Sequence, residues 1–322
     1  MKKNFTFVYV IIFLLCWIGI LGHLYDKGKT SKALIYAEIP EETIRFLDSL
    51  SNKMDLLIRY DPGIRPEDWK NRYNYGEDPA TGLKKIEDDN FIIYFDESKK
   101  ETSKAEKILR WANDAIPELA GMLGKYPYPA DVNGRKLPIY LADTDGEYLR
   151  IASILHGSPY KDLGSVGLYF SRYSRMGNLT IGILLRQKIW TNDTYAREVL
   201  WHEMNHYGYF TLIEYDKAVR PYMWFYEGLA EYFSQSRTLK LTGYQIEQCR
   251  NYTLSSTFPS YNANYWGGES VYRFLEDKYG KEDVGTFIRG TYANTVDYSS
   301  STAFNKSLSL IESEWKQWLD KE

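Results

Sequence analysis

One five-residue run, His202-Glu203-Met204-Asn205-His206, constrains this chain more than any other stretch of it. Successive residues of an α-helix turn through about 100°, so His202 and His206 project from one helix face about one turn apart. Two imidazoles placed in that way can grip a single metal ion. Glu203 lies beside the same face, where its carboxylate can take a proton from a metal-activated water and pass it to a leaving group. H-E-x-x-H on a helix is the spacing of hydrolytic zinc sites. The reading therefore demands a helix, and residues 195–212 supply one: they contain no Pro and a single Gly, and Asn192-Asp193-Thr194 offer N-caps just before them. The chain has only four histidines. At this composition roughly 0.003 accidental matches to the pattern are expected, so chance is a poor explanation of it.

A catalytic zinc takes a third protein ligand and keeps one position open. No histidine follows His206. The next candidates lie in Trp224-Phe225-Tyr226-Glu227-Gly228-Leu229-Ala230-Glu231-Tyr232, which follows Pro221 and reads as a second helix. Glu227 and Glu231, at i and i+4, face the same way. An apolar, aromatic helix buries acids on its packing side only if a positive charge meets them there. Gly228 removes a side chain next to Glu227 and lets another backbone come close. From the residues alone, either acid can complete the site.

These two segments together resemble the gluzincin metallopeptidases, the group that contains thermolysin and the zinc aminopeptidases, and most closely their bacterial peptidase-MA-like branch. The matching residues are His202-Glu203-x-x-His206 and Trp224-x-x-Glu227-Gly228-x-Ala230-Glu231-Tyr232, with twenty residues between His206 and Glu227. The resemblance implies Zn²⁺ as cofactor and Glu227 as its third ligand. It also implies that Glu231 hydrogen-bonds and orients a ligand histidine. Gluzincins commonly supply a Tyr or His from the carboxy-terminal subdomain to stabilise the oxyanion. With no histidine after position 206, a tyrosine is implied, and Tyr265 is the choice, with Tyr261 next.

The implied fold is α+β: a thermolysin-like metallopeptidase domain with an N-terminal mixed sheet and helices, then a mostly helical C-terminal subdomain, covering residues 88–322. The local patterns agree with that order. Strands are expected at 91–95, 137–141, 166–170 and 179–185, and helices at 103–123, 146–155 and 265–280, with a last helical run ending in Glu314-Trp315-Lys316-Gln317-Trp318-Leu319. A polar turn at 175–178 is expected to join the third and fourth strands. In gluzincins an edge strand beside the zinc helix pairs with the substrate backbone, which makes residues 177–182 the expected peptide-docking segment.

The amino-terminal end reads differently. Lys2-Lys3 precede an uncharged run over residues 5–22 dominated by Phe, Val, Ile and Leu. At about 1.5 Å per residue that run spans about 27 Å, enough for the hydrocarbon core of a bilayer. It is longer than a signal-peptide core, and His23-Leu24-Tyr25 offers no small-x-small cleavage site. The expectation is a single-pass cell-membrane anchor or signal at residues 1–23, with the amino terminus cytoplasmic and the peptidase domain extracytoplasmic; the alternative is a secreted protein. Residues 24–87, with an amphipathic helix at 44–58 and a Pro- and Gly-rich stretch at 61–82, read as a stalk or small cap. Cys249 is the only cysteine outside the apolar run, so a disulfide within the outer part is excluded and its stability must come from its core. A net charge of -3 argues against a nucleic-acid partner. Short basic pairs such as Lys84-Lys85 read as solvated surface.

The function these features imply is hydrolysis of peptide bonds in a protein or peptide substrate, with Glu203 as the base. No motif for recognising a free amine is present, which favours an endopeptidase. Two other readings use the same residues. A catalytically silent gluzincin-fold protein would hold a peptide in the cleft, but would have no need of Glu203. An envelope glycan-binding protein would use the 16% aromatic content and leave the H-E-x-x-H run incidental.

Overall fold

The computed structural model describes residues 78–97, 102–125, 136–157, 160–174, 177–213, 221–234 and 241–321, all within one compact unit, Lys70–Glu322. The expected span over residues 5–22, the helix over 44–58 and most of the stalk lie outside the described residues. Among the described residues, no helix is long and apolar enough to cross a membrane.

The architecture is α+β. Five strands, β1 (Lys84–Glu87), β2 (Phe91–Phe95), β3 (Leu137–Ala142), β4 (Gly167–Ser174) and β5 (Gly177–Arg186), form one mixed sheet in the order β1-β2-β3-β5-β4. The β2–β3 and β3–β5 pairs are parallel, whereas the β1–β2 and β4–β5 pairs are antiparallel. Period-two alternation explains how β3 and β5 bury both faces. Leu137, Ile139 and Leu141 join Ile183 and Leu185 in the main core, while Tyr140, Ala142 and Leu184 point into a smaller one. Helix α1 (Thr102–Leu123) covers the main face, and α2 (Asp145–His156) covers the other through Tyr148, Ile151, Ala152 and Leu155. β1 was expected within the stalk; Lys84 and Lys85 are exposed, as expected, yet this segment is the first strand of the sheet.

The expected edge strand needs correction in part. β5 lies between β3 and β4, and β4 is the edge strand; the β3 register covers only Ile183–Arg186 of β5, so residues 177–182 pair with β4 alone. Two adjacent apolar runs joined by a short turn form a hairpin, and local pattern does not say which arm is outermost. The β4–β5 ladder also carries a register shift at Phe170/Ser171.

The remaining helices are α3 (Asp193–Leu212), α4 (Met223–Ser234), α5 (Gly243–Arg250), α6 (Tyr261–Tyr279), α7 (Lys281–Gly290), α8 (Val296–Phe304) and α9 (Leu308–Leu319). Asn192 caps α3 by accepting a hydrogen bond from the Tyr195 N–H at 2.8 Å. Every residue from Leu200 to Tyr209 is buried, because β4, β5, α1 and α4 all pack on this helix. A helix enclosed on all sides is apolar all round unless its polar residues have work to do. Helix α6 reaches four residues further toward the amino terminus than expected, so Tyr261 and Tyr265 both lie on it.

Helices α4 and α6 cross at a pair of glycines. A Cβ on Gly228 would sit 2.5 Å from Gly268 Cα and 2.7 Å from its carbonyl oxygen, and a Cβ on Gly268 would strike the Gly228 backbone in turn. Only glycine permits that approach.

Candidate metal centre and cleft

His202, Glu203, His206 and Glu227 are each less than one-tenth exposed. Two carboxylates and two imidazoles sunk into a core demand compensation, since an uncompensated buried charge costs several kcal/mol. Their arrangement shows how they meet. Helix α3 brings the two histidines together at i and i+4, with His202 Nε2 and His206 Nε2 3.1 Å apart. Helix α4 delivers Glu227, whose Oε2 lies 3.3 Å from His202 Nε2 and 3.2 Å from His206 Nε2. The three donor atoms thus form a nearly equilateral triangle.

That triangle has the dimensions of a metal site. Bonds of about 2.0–2.1 Å in a tetrahedral arrangement separate neighbouring ligand atoms by about 3.3 Å. Glu227 Oε2 is buried and accepts no hydrogen bond, and the contact between the two Nε2 atoms can use only one proton. Lone pairs therefore converge on one point. His202, His206 and Glu227 form a buried group able to hold a metal ion.

Glu231, one turn beyond Glu227, reaches the other side of the same imidazole: its Oε1 lies 3.0 Å from His202 Nδ1. The two acids of α4 grip opposite nitrogens of His202. A proton on Nδ1, donated to Glu231, leaves Nε2 free as a ligand. His206 Nδ1 is buried without a hydrogen-bond partner, as is the side-chain amide of Asn205.

Electrostatics follow from this packing. Burial alone would lower the His202 imidazolium, but the carboxylates of Glu227 and Glu231 outweigh it and hold its pKa well above the ordinary value. Burial would raise Glu227, yet the His206 and His202 imidazoles hold it well below the usual carboxylate range. Glu203 goes the other way, raised by burial, with the two histidines and the backbone N–H of Tyr169 offsetting part of the effect. The Tyr169 amide belongs to β4, so the sheet edge itself positions Glu203. Gly167, also on β4, makes that approach possible: a Cβ there would lie 2.8 Å from Glu203 Oε1 and 2.7 Å from Val199 Cγ1.

A cavity of about 580 Å³ opens beside the metal triangle, lined in part by His202, Glu203, Glu231 and Tyr265. The Tyr265 ring stacks on the His202 imidazole, with centroids 5.7 Å apart and planes inclined by 9°. Its hydroxyl is 2.7 Å from that of Tyr261. Burial, reinforced by the Glu227 charge, pushes the Tyr265 phenol far above its ordinary pKa, so it stays a protonated donor.

Both tyrosines singled out from the sequence border this cleft. Reading the motifs alone missed Asp162 and Gly167, which also line the cavity, and Tyr195 and Glu198 on α3. For the last two a signal existed, because positions 195, 198, 199, 202 and 206 recur at helical spacing on one face. The chain matches no family model and no curated protein.

Proposed function

We infer that this protein is a zinc metallopeptidase of the gluzincin kind, acting as an endopeptidase, anchored in the cell membrane by residues 5–22 with its catalytic domain outside the cytoplasm. The observation that carries the reading is the triangle of His202 Nε2, His206 Nε2 and Glu227 Oε2, with Glu203 beside it on the wall of an open cavity. The donor set of two imidazoles and one carboxylate suits zinc.

When bound, a zinc ion held by His202, His206 and Glu227 supplies a Lewis acid that makes water more acidic and polarises a peptide carbonyl. Glu203 takes a proton as water oxygen bonds to the carbonyl carbon. It then gives that proton to the amide nitrogen as the C–N bond breaks, leaving a carboxylic acid and an amine. Its raised pKa suits a group that must both accept and return a proton. Tyr265 donates its hydroxyl hydrogen to the carbonyl oxygen while negative charge develops there. Glu231 keeps His202 in the tautomer that leaves Nε2 free. The outer edge of β4, whose Gly167 borders the cavity, offers N–H and C=O groups to an extended substrate backbone.

The test is metal analysis and proteolysis with purified protein. About one zinc per chain and cleavage of an unfolded protein are expected, with Glu203→Gln lowering kcat by about 10²–10⁴-fold while the metal stays bound. A Glu203→Gln variant that cleaves as fast as the parent removes Glu203 from the mechanism. Zinc without cleavage of any substrate leaves a peptide-binding protein in place of an enzyme.

A further inference from the structure

The cleft carries an excess of negative charge that the metal centre does not consume. Among the described residues its lining includes Asp162, Glu198, Glu203 and Glu231 and contains no lysine or arginine. Glu227 adds a fifth carboxylate beside His202, and its buried Oε2 has no hydrogen-bond partner. A divalent ion on His202, His206 and Glu227 leaves three of those five charges uncompensated.

The acids differ in what already holds them. Glu203 is braced by the Tyr169 backbone N–H and Glu231 by His202. Asp162 Oδ1 accepts the Gly164 N–H at 2.6 Å, which ties it into a turn. Glu198 is half-buried and makes no hydrogen bond or ion pair among the described residues. Its neighbour Arg197 lies over the Trp201 ring, 5.4 Å from the centroid. Partial burial raises the Glu198 pKa, the Arg197 charge offsets part of that, and the Glu231 charge adds to it. Tyr195 feels both acids, since Glu231 and Glu198 add to the burial that raises its phenol. Tyr195 and Glu198 lie on α3 two turns and one turn before His202, and they line the same cavity as Glu231, whose Oε1 meets His202 Nδ1.

We propose that Glu198, with Tyr195 and Glu231, forms a specificity subsite for a lysine or arginine side chain close to the scissile bond. The subsite rests on the peptidase reading above. An aliphatic stem runs along Val199 and the Tyr195 ring, and the cationic head meets Glu198 and the tyrosine face. A neutral or acidic side chain there would leave like charges facing each other uncompensated.

Two experiments test this with zinc-loaded protein. A mixture of random peptides is digested and its cut sites mapped by mass spectrometry. Peptide pairs with lysine replaced by norleucine, or arginine by citrulline, are then compared. Lysine or arginine is expected at one fixed position relative to the cut bond, with kcat/KM at least about 10-fold above the neutral isostere and Glu198→Gln shrinking that ratio below about 3-fold. In parallel, fluorescence anisotropy measures binding of the same peptides to Glu203→Gln protein, where the cationic member should bind about 10-fold more tightly and lose the advantage on adding Glu198→Gln. Cleavage with no cationic preference, or a preference that survives Glu198→Gln, overturns the subsite and leaves the peptidase standing. Cationic preference in binding without cleavage supports the subsite and removes the enzyme; absence of both overturns both.

Discussion

Replacing Gly228 by alanine probes the joint that sets the metal centre. A Cβ at position 228 would lie 2.5 Å from Gly268 Cα and 2.7 Å from Gly268 O, whereas ordinary contact needs about 3.5 Å. The obstacle is backbone on both sides, so no side-chain rotation relieves it, and α4 and α6 must separate by about 1 Å. Overpacking of this kind costs about 1–3 kcal/mol. In a unit the size of Lys70–Glu322, each kcal/mol lowers Tm by about 2–4 °C, so a fall of about 2–12 °C is expected in thermal unfolding. The consequence for the metal depends on which helix yields. If α4 moves, Glu227 Oε2 shifts by several tenths of an ångström from the two histidines, beyond the about ±0.2 Å that a metal site tolerates, and chelator competition should show weaker zinc binding. If α6 moves, Tyr265 slides off the His202 ring, and kcat falls while zinc affinity holds. Gly121→Ala is the control: nothing lies within 4 Å of a Cβ there, in the last turn of α1, so it should stabilise by about 0.4–1 kcal/mol. Gly228→Ala unfolding within about 1 °C of the parent, with unchanged zinc affinity and kcat, would refute the argument that this glycine pair positions the site.

Three further outcomes are expected. Glu231→Gln should weaken zinc binding by about 10–100-fold in a chelator competition, because the partner of His202 Nδ1 loses its charge. Tyr265→Phe keeps the ring on His202 and removes only the hydroxyl, so kcat should fall by about 10²-fold with KM nearly constant. Burial would raise Glu314, but Lys306, Tyr279 and Lys278 outweigh it and hold its pKa at about 2, against an ordinary value near 4.5. A depressed folded-state pKa stabilises above the unfolded value and loses that contribution as pH falls toward the folded one. The stability difference between metal-free parent and Glu314→Gln should thus be greatest above about pH 4.5, at about 1–2 kcal/mol after solvent screening, and vanish near pH 2 in denaturant titrations. A difference that stays constant over that range would remove Glu314 from the ion-pair cluster.

What the sequence made legible is what one helix determines by itself. His202 with His206, and Glu227 with Glu231, are i, i+4 pairs, and a helix of 3.6 residues per turn fixes which way each pair faces before anything else folds. The five-residue run therefore gave both imidazoles, and Gly228 gave the close backbone approach, though not its partner. Gly268 stands 40 positions further on, and nothing local ties the two together. Strand order is hidden for the same reason: β4 and β5 carry similar apolar runs, and only the parallel pairing of β5 with β3 decides that β4 lies at the edge. Helices α7 and α8 went unread because they are short, with Gly285 inside one and Ser299-Ser300-Ser301 inside the other, and their stability comes from burying Phe287, Ile288, Val296 and Phe304.

Glu198 falls between these cases. Its place on the face of His202 follows from periodicity alone, yet the same spacing also describes an ordinary acid on the solvated face of an amphipathic helix. Only the tertiary structure separates the two, by setting Glu231 of α4 and the cavity against it and turning Arg197 onto Trp201. A solvated acid would tolerate lysine in its place. Charge reversal at the proposed subsite has a different consequence: Glu198→Lys should invert the preference toward peptides with acidic side chains at the same position, measured as the ratio of kcat/KM for matched glutamate and lysine peptides. If that ratio stays unchanged while the variant folds and binds zinc as the parent does, Glu198 faces solvent and the cleft selects its substrate by other means.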